Sequence, residues 1–440
     1  MLRFRPLNFS LFFICSVLTL WLGITSRATA QAMPVLTGQG PIANAAALHP
    51  NAGDFDTGPR AAGCADSFAE VEAGFTGVQY GSVAWGDFDK DGDLDLLVTG
   101  STDDTRFGGI TKIYRNDNGI FTDIAAGLKG VWRSSVAWGD YDNDSDLDIL
   151  LTGEYDNGDS VAKIYRNDNS VFTDINAALT GVSYGSVAWG DYDNDSDLDI
   201  LITGEAGSNG VRVAQVYRNN GGIFGDIGAT LTGVAFSSVA WGDYDKDGDL
   251  DILLTGRNSN DEQIAKLYRN EAGNFVDANA SLGGVAWGNV AWGDYDNDGD
   301  PDILLSGSAV GFILTTKVYR NDGNGAFVDI EAGLVGVADS SVAWGDYDKD
   351  GDLDILMAGL SNSSTNEKTT RLYRNDGNNT FTHSEVGLTG VQYSSVAWGD
   401  YDNDDDLDIL LTGRDSTSSS VTKLYRNNHC KLLYLPAIVR

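Results

Sequence analysis

From residue 68 onward the chain alternates short apolar runs with polar turns, and it does so in repeating order. One run, Ser-Val-Ala-Trp-Gly, occurs six times, with a seventh copy at Asn289-Val290-Ala291-Trp292-Gly293. A second, such as Ile149-Leu150-Leu151, is apolar without clean alternation. That is expected of a strand covered on both faces. A third ends in Tyr-Arg-Asn, first at Tyr114-Arg115-Asn116, and a fourth centres on Phe, as in Phe121-Thr122-Asp123-Ile124. Gly, Asn and Asp turns separate them, so each unit predicts four short β-strands. No 3.6-residue periodicity is sustained, which excludes a helical solenoid, and a parallel β-helix needs a much shorter period.

The Asp that closes the first run is Asp87, Asp140, Asp191, Asp243, Asp294, Asp346 and Asp400, at spacings of 53, 51, 52, 51, 52 and 54. Four strands per unit at this period predict an all-β, seven-bladed β-propeller over 64–430. The small residues of the first run suit an innermost strand crowded around an axis. The repeated Trp85, Trp138, Trp189, Trp241, Trp292, Trp344 and Trp398 are expected to pack between blades. The last Tyr-Arg-Asn has no Phe strand after it, while Phe68–Val71 precedes the first unit unpartnered. The N-terminal strand is therefore expected to complete the last blade by pairing with 423–427, removing an open edge.

The N-terminus has a different pattern. Arg3 and Arg5 precede an apolar stretch from Leu11 to Ile24, and Ala28-Thr29-Ala30 has the form of a cleavage site. Residues 1–30 read as a secretory signal peptide and 31–63 as a flexible leader. An extracellular or cell-surface location follows, with no membrane insertion after cleavage. Cys15 would leave with the signal. Cys64 and Cys430 flank the place where the closing blade lacks its covalent turn, so a Cys64–Cys430 disulfide is expected. The tail, 431–440, is apolar with a basic end.

Charge sharpens the picture. Twenty-nine Lys and Arg face 64 Asp and Glu, a balance of −35. Such a chain repels phosphate backbones, which argues against a nucleic-acid partner. The acids concentrate after the first strand of each unit. The loops carry Asp87, Asp89, Asp91, Asp93 and Asp95; Asp140, Asp142, Asp144, Asp146 and Asp148; Asp191, Asp193, Asp195, Asp197 and Asp199; Asp243, Asp245, Asp247, Asp249 and Asp251; Asp294, Asp296, Asp298, Asp300 and Asp302; Asp346, Asp348, Asp350, Asp352 and Asp354; and Asp400, Asp402, Asp404, Asp406 and Asp408. Carboxylates at loop positions one, three, five and nine, with the backbone carbonyl of position seven, suit Ca²⁺, which takes six to eight oxygens. Up to seven ions are expected. Position six is Gly92, Gly248, Gly299 and Gly351, but Ser145, Ser196 and Asp405 in the other three loops, where strain is expected to weaken binding. Pro301 replaces the usual Leu at position eight.

The pattern Val-Ala-Trp-Gly-Asp-Tyr-Asp-Asn-Asp-Gly-Asp-x-Asp-Ile-Leu, then Tyr-Arg-Asn and a Phe strand, resembles FG-GAP/VCBS repeats, which are similar to the calcium-binding blades of integrin α-subunit heads. The resemblance covers about 68–427. It implies that the Asp loops hold Ca²⁺ between strands one and two on one face, by Asp87, Asp89, Asp91 and Asp95 in the first unit. The departure is that all seven units carry the loop.

Function is then expected on the opposite face. The loops between strands two and three vary, as at 101–110, 154–160 and 361–368. The connections between blades carry Tyr80, Arg133, Tyr184, Phe236, Trp287, Asp339 and Tyr393 at equivalent places, candidates for gripping a glycan or a protein. Only three histidines occur, His49, His383 and His429, and no hydrolase elbow or phosphate loop appears. A monomeric binding or adhesion module is the leading expectation and a lectin the alternative. An enzyme such as a polysaccharide lyase is the third reading. Its candidates would be the two residues that break the repeat, Arg133 and Asp339.

Overall fold

The computed structural model describes residues 67–428 apart from 104–107, 208 and 324. The chain divides into Met1–Val35 and Leu36–Arg440, and only the second unit contains described residues. The expected signal peptide, leader, Cys64–Cys430 pairing and tail lie outside them. The described residues hold 28 strands and no helix long and apolar enough to cross a membrane.

The strands fall into antiparallel four-stranded units. In the first, Val83–Gly86, Asp95–Ser101, Gly109–Asp117 and Ile120–Asp123 pair in sequence order. Register is tied to the repeat: in the third unit Trp189 faces Ile200, Ile200 faces Tyr217 and Tyr217 faces Asp226. The seventh unit has three consecutive strands, Val391–Gly399, Asp408–Asp415 and Ser420–Asn427. Its fourth is Phe68–Val71, which lies antiparallel to the last strand with Phe68 opposite Asn427 and Val71 opposite Leu424.

The core forms between units. Ala137, Leu150 and Ile164 of the second pack with Trp189, Ile200 and Tyr217 of the third. Val83, Leu96 and Tyr114 of the first pack with Ala397 and Leu410 of the seventh. Each second strand is buried on both faces, which accounts for its unbroken apolar run. The tryptophans do pack between units. Trp189 stacks on Tyr141 of the preceding unit with ring planes 9° apart, and Trp398 stacks on Tyr347 at 2°.

This packing explains the glycine after each Trp. A Cβ on Gly190 would lie 2.6 Å from Cδ1 of Trp241 in the next unit, and one on Gly139 would meet Trp189 equally closely. The same approach runs from Gly399 of the last unit to Trp85 of the first, at 2.7 Å. A second series links strand to loop. Asn219 Nδ2 donates to the carbonyl of Tyr141 in the preceding unit (2.8 Å), and Asn116 Nδ2 to that of Tyr401 in the last (2.8 Å).

Candidate metal centres and the far end of the first strand

Each Asp loop folds on its own side chains. Asp87 accepts from the backbone N–H of Asp91 and Gly92 through separate oxygens, both at 3.1 Å, and Asp91 accepts from Asp93 N. Asp95 is fully buried; it accepts from Phe88 N at one oxygen and Asn116 N at the other. The same bonds recur in the third unit through Asp191 and Asp199. The loop is thus tied to strands two and three before any ion is considered.

The outcome is a focus of carboxylates. Oxygens of positions one, three and nine lie within 4.8 Å of one another in Asp87–Asp89–Asp95, Asp140–Asp142–Asp148, Asp191–Asp193–Asp199, Asp243–Asp245–Asp251 and Asp294–Asp296–Asp302. Two further acidic groups meet the same criterion. These groups could hold a metal ion. Position five is outside these groups, although the charge of Asp91 contributes to raising Asp89, after burial. Pro301 does no damage: strand two still begins at Asp302, and the Pro301 carbonyl accepts from Asn321.

Two observations test whether a cation fits. One oxygen of the position-three carboxylate, Oδ1 of Asp89, Asp142, Asp193, Asp245 and Asp402, is buried with no hydrogen-bond partner. A buried carboxylate oxygen without a donor is costly unless a positive charge stands against it. Burial also pushes Asp95 up to about 7 and Asp148 to about 8, despite two backbone N–H donors each. The donor set is all oxygen, as calcium prefers.

Arginine answers the same charge in two loops. In five units the Arg of Tyr-Arg-Asn pairs with an acid two residues on, as Arg166 does with Asp168 at 2.7 Å. In the third and seventh units that position is Asn220 or Asn428. There the guanidinium turns into the loop instead: Arg218 meets Asp193 and Asp195, and Arg426 meets Asp402 and Asp404, all at 2.8 Å.

Sequence reasoning gave position seven only a backbone role. Its side chain also couples neighbouring loops. Position four of one unit reaches position seven of the next, as Lys90 to Asp146 (2.6 Å), Asn143 to Asp197 (3.1 Å) and Asn403 of the last unit to Asp93 of the first (2.7 Å). All seven position-four residues are Lys or Asn, and that alternation of types was the signal available. At position six, Ser145 and Ser196 (φ 74°) and Asp405 (φ 70°) take the left-handed backbone that glycine takes elsewhere, the strain expected of them.

At the other end of the first strand stand the seven variable residues. Their placement corrects one expectation. Arg133, Tyr184, Phe236, Asp339 and Tyr393 lie within the first strand and not in the connection before it, while Tyr80 and Trp287 lie just ahead of it. The strand pairing skips there, as between Ser183 and Ser186. All seven residues have positive φ, from 47° to 55°. Six of them touch in series. Tyr393 stacks on Tyr80 at 3.9 Å, Arg133 lies over the Tyr184 ring at 4.1 Å, Tyr184 meets Phe236 at 4.5 Å and Phe236 meets Trp287 at 4.9 Å. Backbone bonds join them too, Arg133 N donating to Tyr80 O and Tyr80 N to Tyr393 O. Arg133 is ion-paired to Glu154 at 2.9 Å. Arg133 and Asp339 are therefore not brought together as a catalytic pair. Beneath this collar a cavity of about 60 Å³ is lined by small residues, among them Ser135, Ser186 and Ser238.

Sequence reasoning missed one surface. The turn between strands two and three of the fifth unit exposes Val310, Phe312 and Ile313. Its signal was an apolar Val-Gly-Phe-Ile where the other units carry polar turns.

The FG-GAP-like repeat family matches the chain at residues 87–151, 140–202, 313–357 and 360–411. No curated protein matches it. Among solved structures it is similar to a mutant of AofleA from Arthrobotrys oligospora in which three arginines are replaced by alanine. The identity is 14%, the match covers 76% of this chain and 94% of that one, and the TM-score is 0.45.

Proposed function

We propose, on the premise of the FG-GAP-like repeats found at four places in the chain, that it is a seven-bladed β-propeller with structural Ca²⁺ in its Asp loops, working outside the cell as a binding or adhesion module. The observation that carries the calcium reading is the buried, unpartnered Oδ1 at position three, recurring from unit to unit. Positions one, three, five and nine, with the position-seven carbonyl, would hold the ion, which supplies the positive charge the cluster lacks. Seven blades and ring closure are supported by the pairing of Phe68–Val71 with the last strand. The contacts of Gly399, Asn116 and Asn403 across the first and last units support them too.

Binding belongs to the far end of the first strand. There the units differ, so one-of-a-kind recognition is built without disturbing the repeat. A binding role is favoured over catalysis because Arg133 is engaged by Glu154 and stacked against Trp132 and Tyr184.

Chelation tests the metal reading. Metal that binds only the folded state adds its binding energy to folding. Excess EDTA should lower the melting temperature by about 10 °C or more, and Ca²⁺ should restore it while Mg²⁺ does so poorly. An unchanged melt in chelator would refute structural calcium.

A further inference from the structure

We propose that the collar at the start of the first strands is an aromatic cage for an alkylammonium cation, with Asp339 as its counter-charge. The proposal rests on the reading of this end as the binding end and gives its ligand a chemical class.

Five of the seven collar positions are aromatic; the rings of Tyr393 and Tyr80 stack, those of Tyr184, Phe236 and Trp287 touch in turn, and Arg133 lies between the two groups. All five are half-buried, so their faces are partly open to a ligand. Aromatic faces carry negative quadrupole density and attract cations, most strongly where water is thinned. The two charged positions differ. Arg133 is neutralised by Glu154. Asp339 has no ion pair among the described residues, and its side chain accepts no hydrogen bond there. Its carbonyl alone is used, accepting from Ser394 Oγ. Tyr80 feels its charge. Burial without a compensating group pushes the Asp339 carboxyl up to about 7.

A lone, desolvated carboxylate beside a ring of aromatic faces is matched by an organic cation. The cation would neutralise the acid and lie against the rings at once. A neutral sugar leaves the carboxylate's charge unanswered. A metal ion would find only one carboxylate, against the six or more oxygens calcium takes. A net charge of −35 raises the local concentration of any cation. All seven positions hold the left-handed backbone, and such strain clusters where a geometry is held for a ligand.

Isothermal titration of the calcium-loaded full chain with choline and with Nα-acetyl-lysine amide tests this. The uncharged isostere 3,3-dimethylbutan-1-ol is the control. At least one amine should bind, and the isostere should bind about tenfold more weakly or worse. Which amine wins separates a quaternary from a primary ammonium ligand. Asp339→Asn and Trp287→Leu should each weaken the amine about tenfold, with calcium-dependent melting kept. Equal binding of amine and isostere, no binding of either amine, or an Asp339→Asn variant of unchanged affinity would each overturn the cage. If a glycan or protein panel then gave binding sensitive to Trp287→Leu but not to Asp339→Asn, the binding end would stand and only the cation reading would fall.

Discussion

The two ends of the first strand obey opposite rules. At one end Gly190 and Asp191 repeat in kind in every unit; six residues back, Tyr184 shares its place with Arg133, Phe236, Trp287 and Asp339. Both ends make contacts from unit to unit, so contact alone does not explain the difference. At the loop end each side chain fits a groove made by the next unit. Gly190 admits Trp241, and Asn194 meets Asp249 at 2.9 Å. A change there has to be answered in the neighbour. At the collar end the residues stand where the strand pairing skips and meet mostly one another, with few outside partners such as Glu154 and Trp132 for Arg133, so they can differ more freely. On the proposed reading, scaffold sits where units interlock and recognition where they merely meet.

Breaking the scaffold end should have the larger effects. Removal of calcium comes first, because it acts on every loop together. Next is Gly190→Ala, whose new methyl would lie 2.6 Å from a Trp241 ring packed on Tyr192. Urea denaturation should report a loss of about 1–3 kcal/mol, and Gly345→Ala against Trp398 should cost a similar amount. If one of these pairs were neutral, the claim that the units interlock alike would fail.

The collar should respond in the opposite sense. Asp339 is held above its ordinary 3.8, at about 7. Above 3.8 the unfolded chain ionises this group while the folded protein resists doing so. Its contribution therefore becomes increasingly destabilising between pH 3.8 and 7, and stays so above. Asp339→Asn should then melt like the parent near pH 4 and higher than the parent at pH 8. A variant less stable at pH 8 would make the collar part of the scaffold.

The smallest effect sharpens differences among the loops. Ser145→Gly relieves a φ of 74° and should gain about 0.5 kcal/mol, a glycine's greater freedom in the unfolded chain offsetting part of the relief. Calcium titration should tighten at that loop alone.

Much of this was legible in the sequence. Strand order within a unit, the partner of Phe68–Val71 and the packing of the tryptophans follow from periodicity, because each unit repeats the same burial problem. The Asp loops follow from local spacing. What was not legible depends on neighbours distant in sequence. Glycine after Trp reads only as a small strand residue until the next unit's Trp is seen against it. The reach of Lys90 to Asp146 crosses 56 residues, and the Lys or Asn at position four announces a partner without saying which. The left-handed backbone of Tyr184 and Trp287 was hidden because bulky aromatics ordinarily avoid that region.

The central claim is a cation in each repeated loop, and counting ions tests it most directly. Native mass spectrometry of the full chain in Ca²⁺ should give a mass increment approaching seven calcium ions. Asp193→Asn should remove one, and chelator should remove them all. A mass that does not change between calcium and chelator would contradict the account at its base.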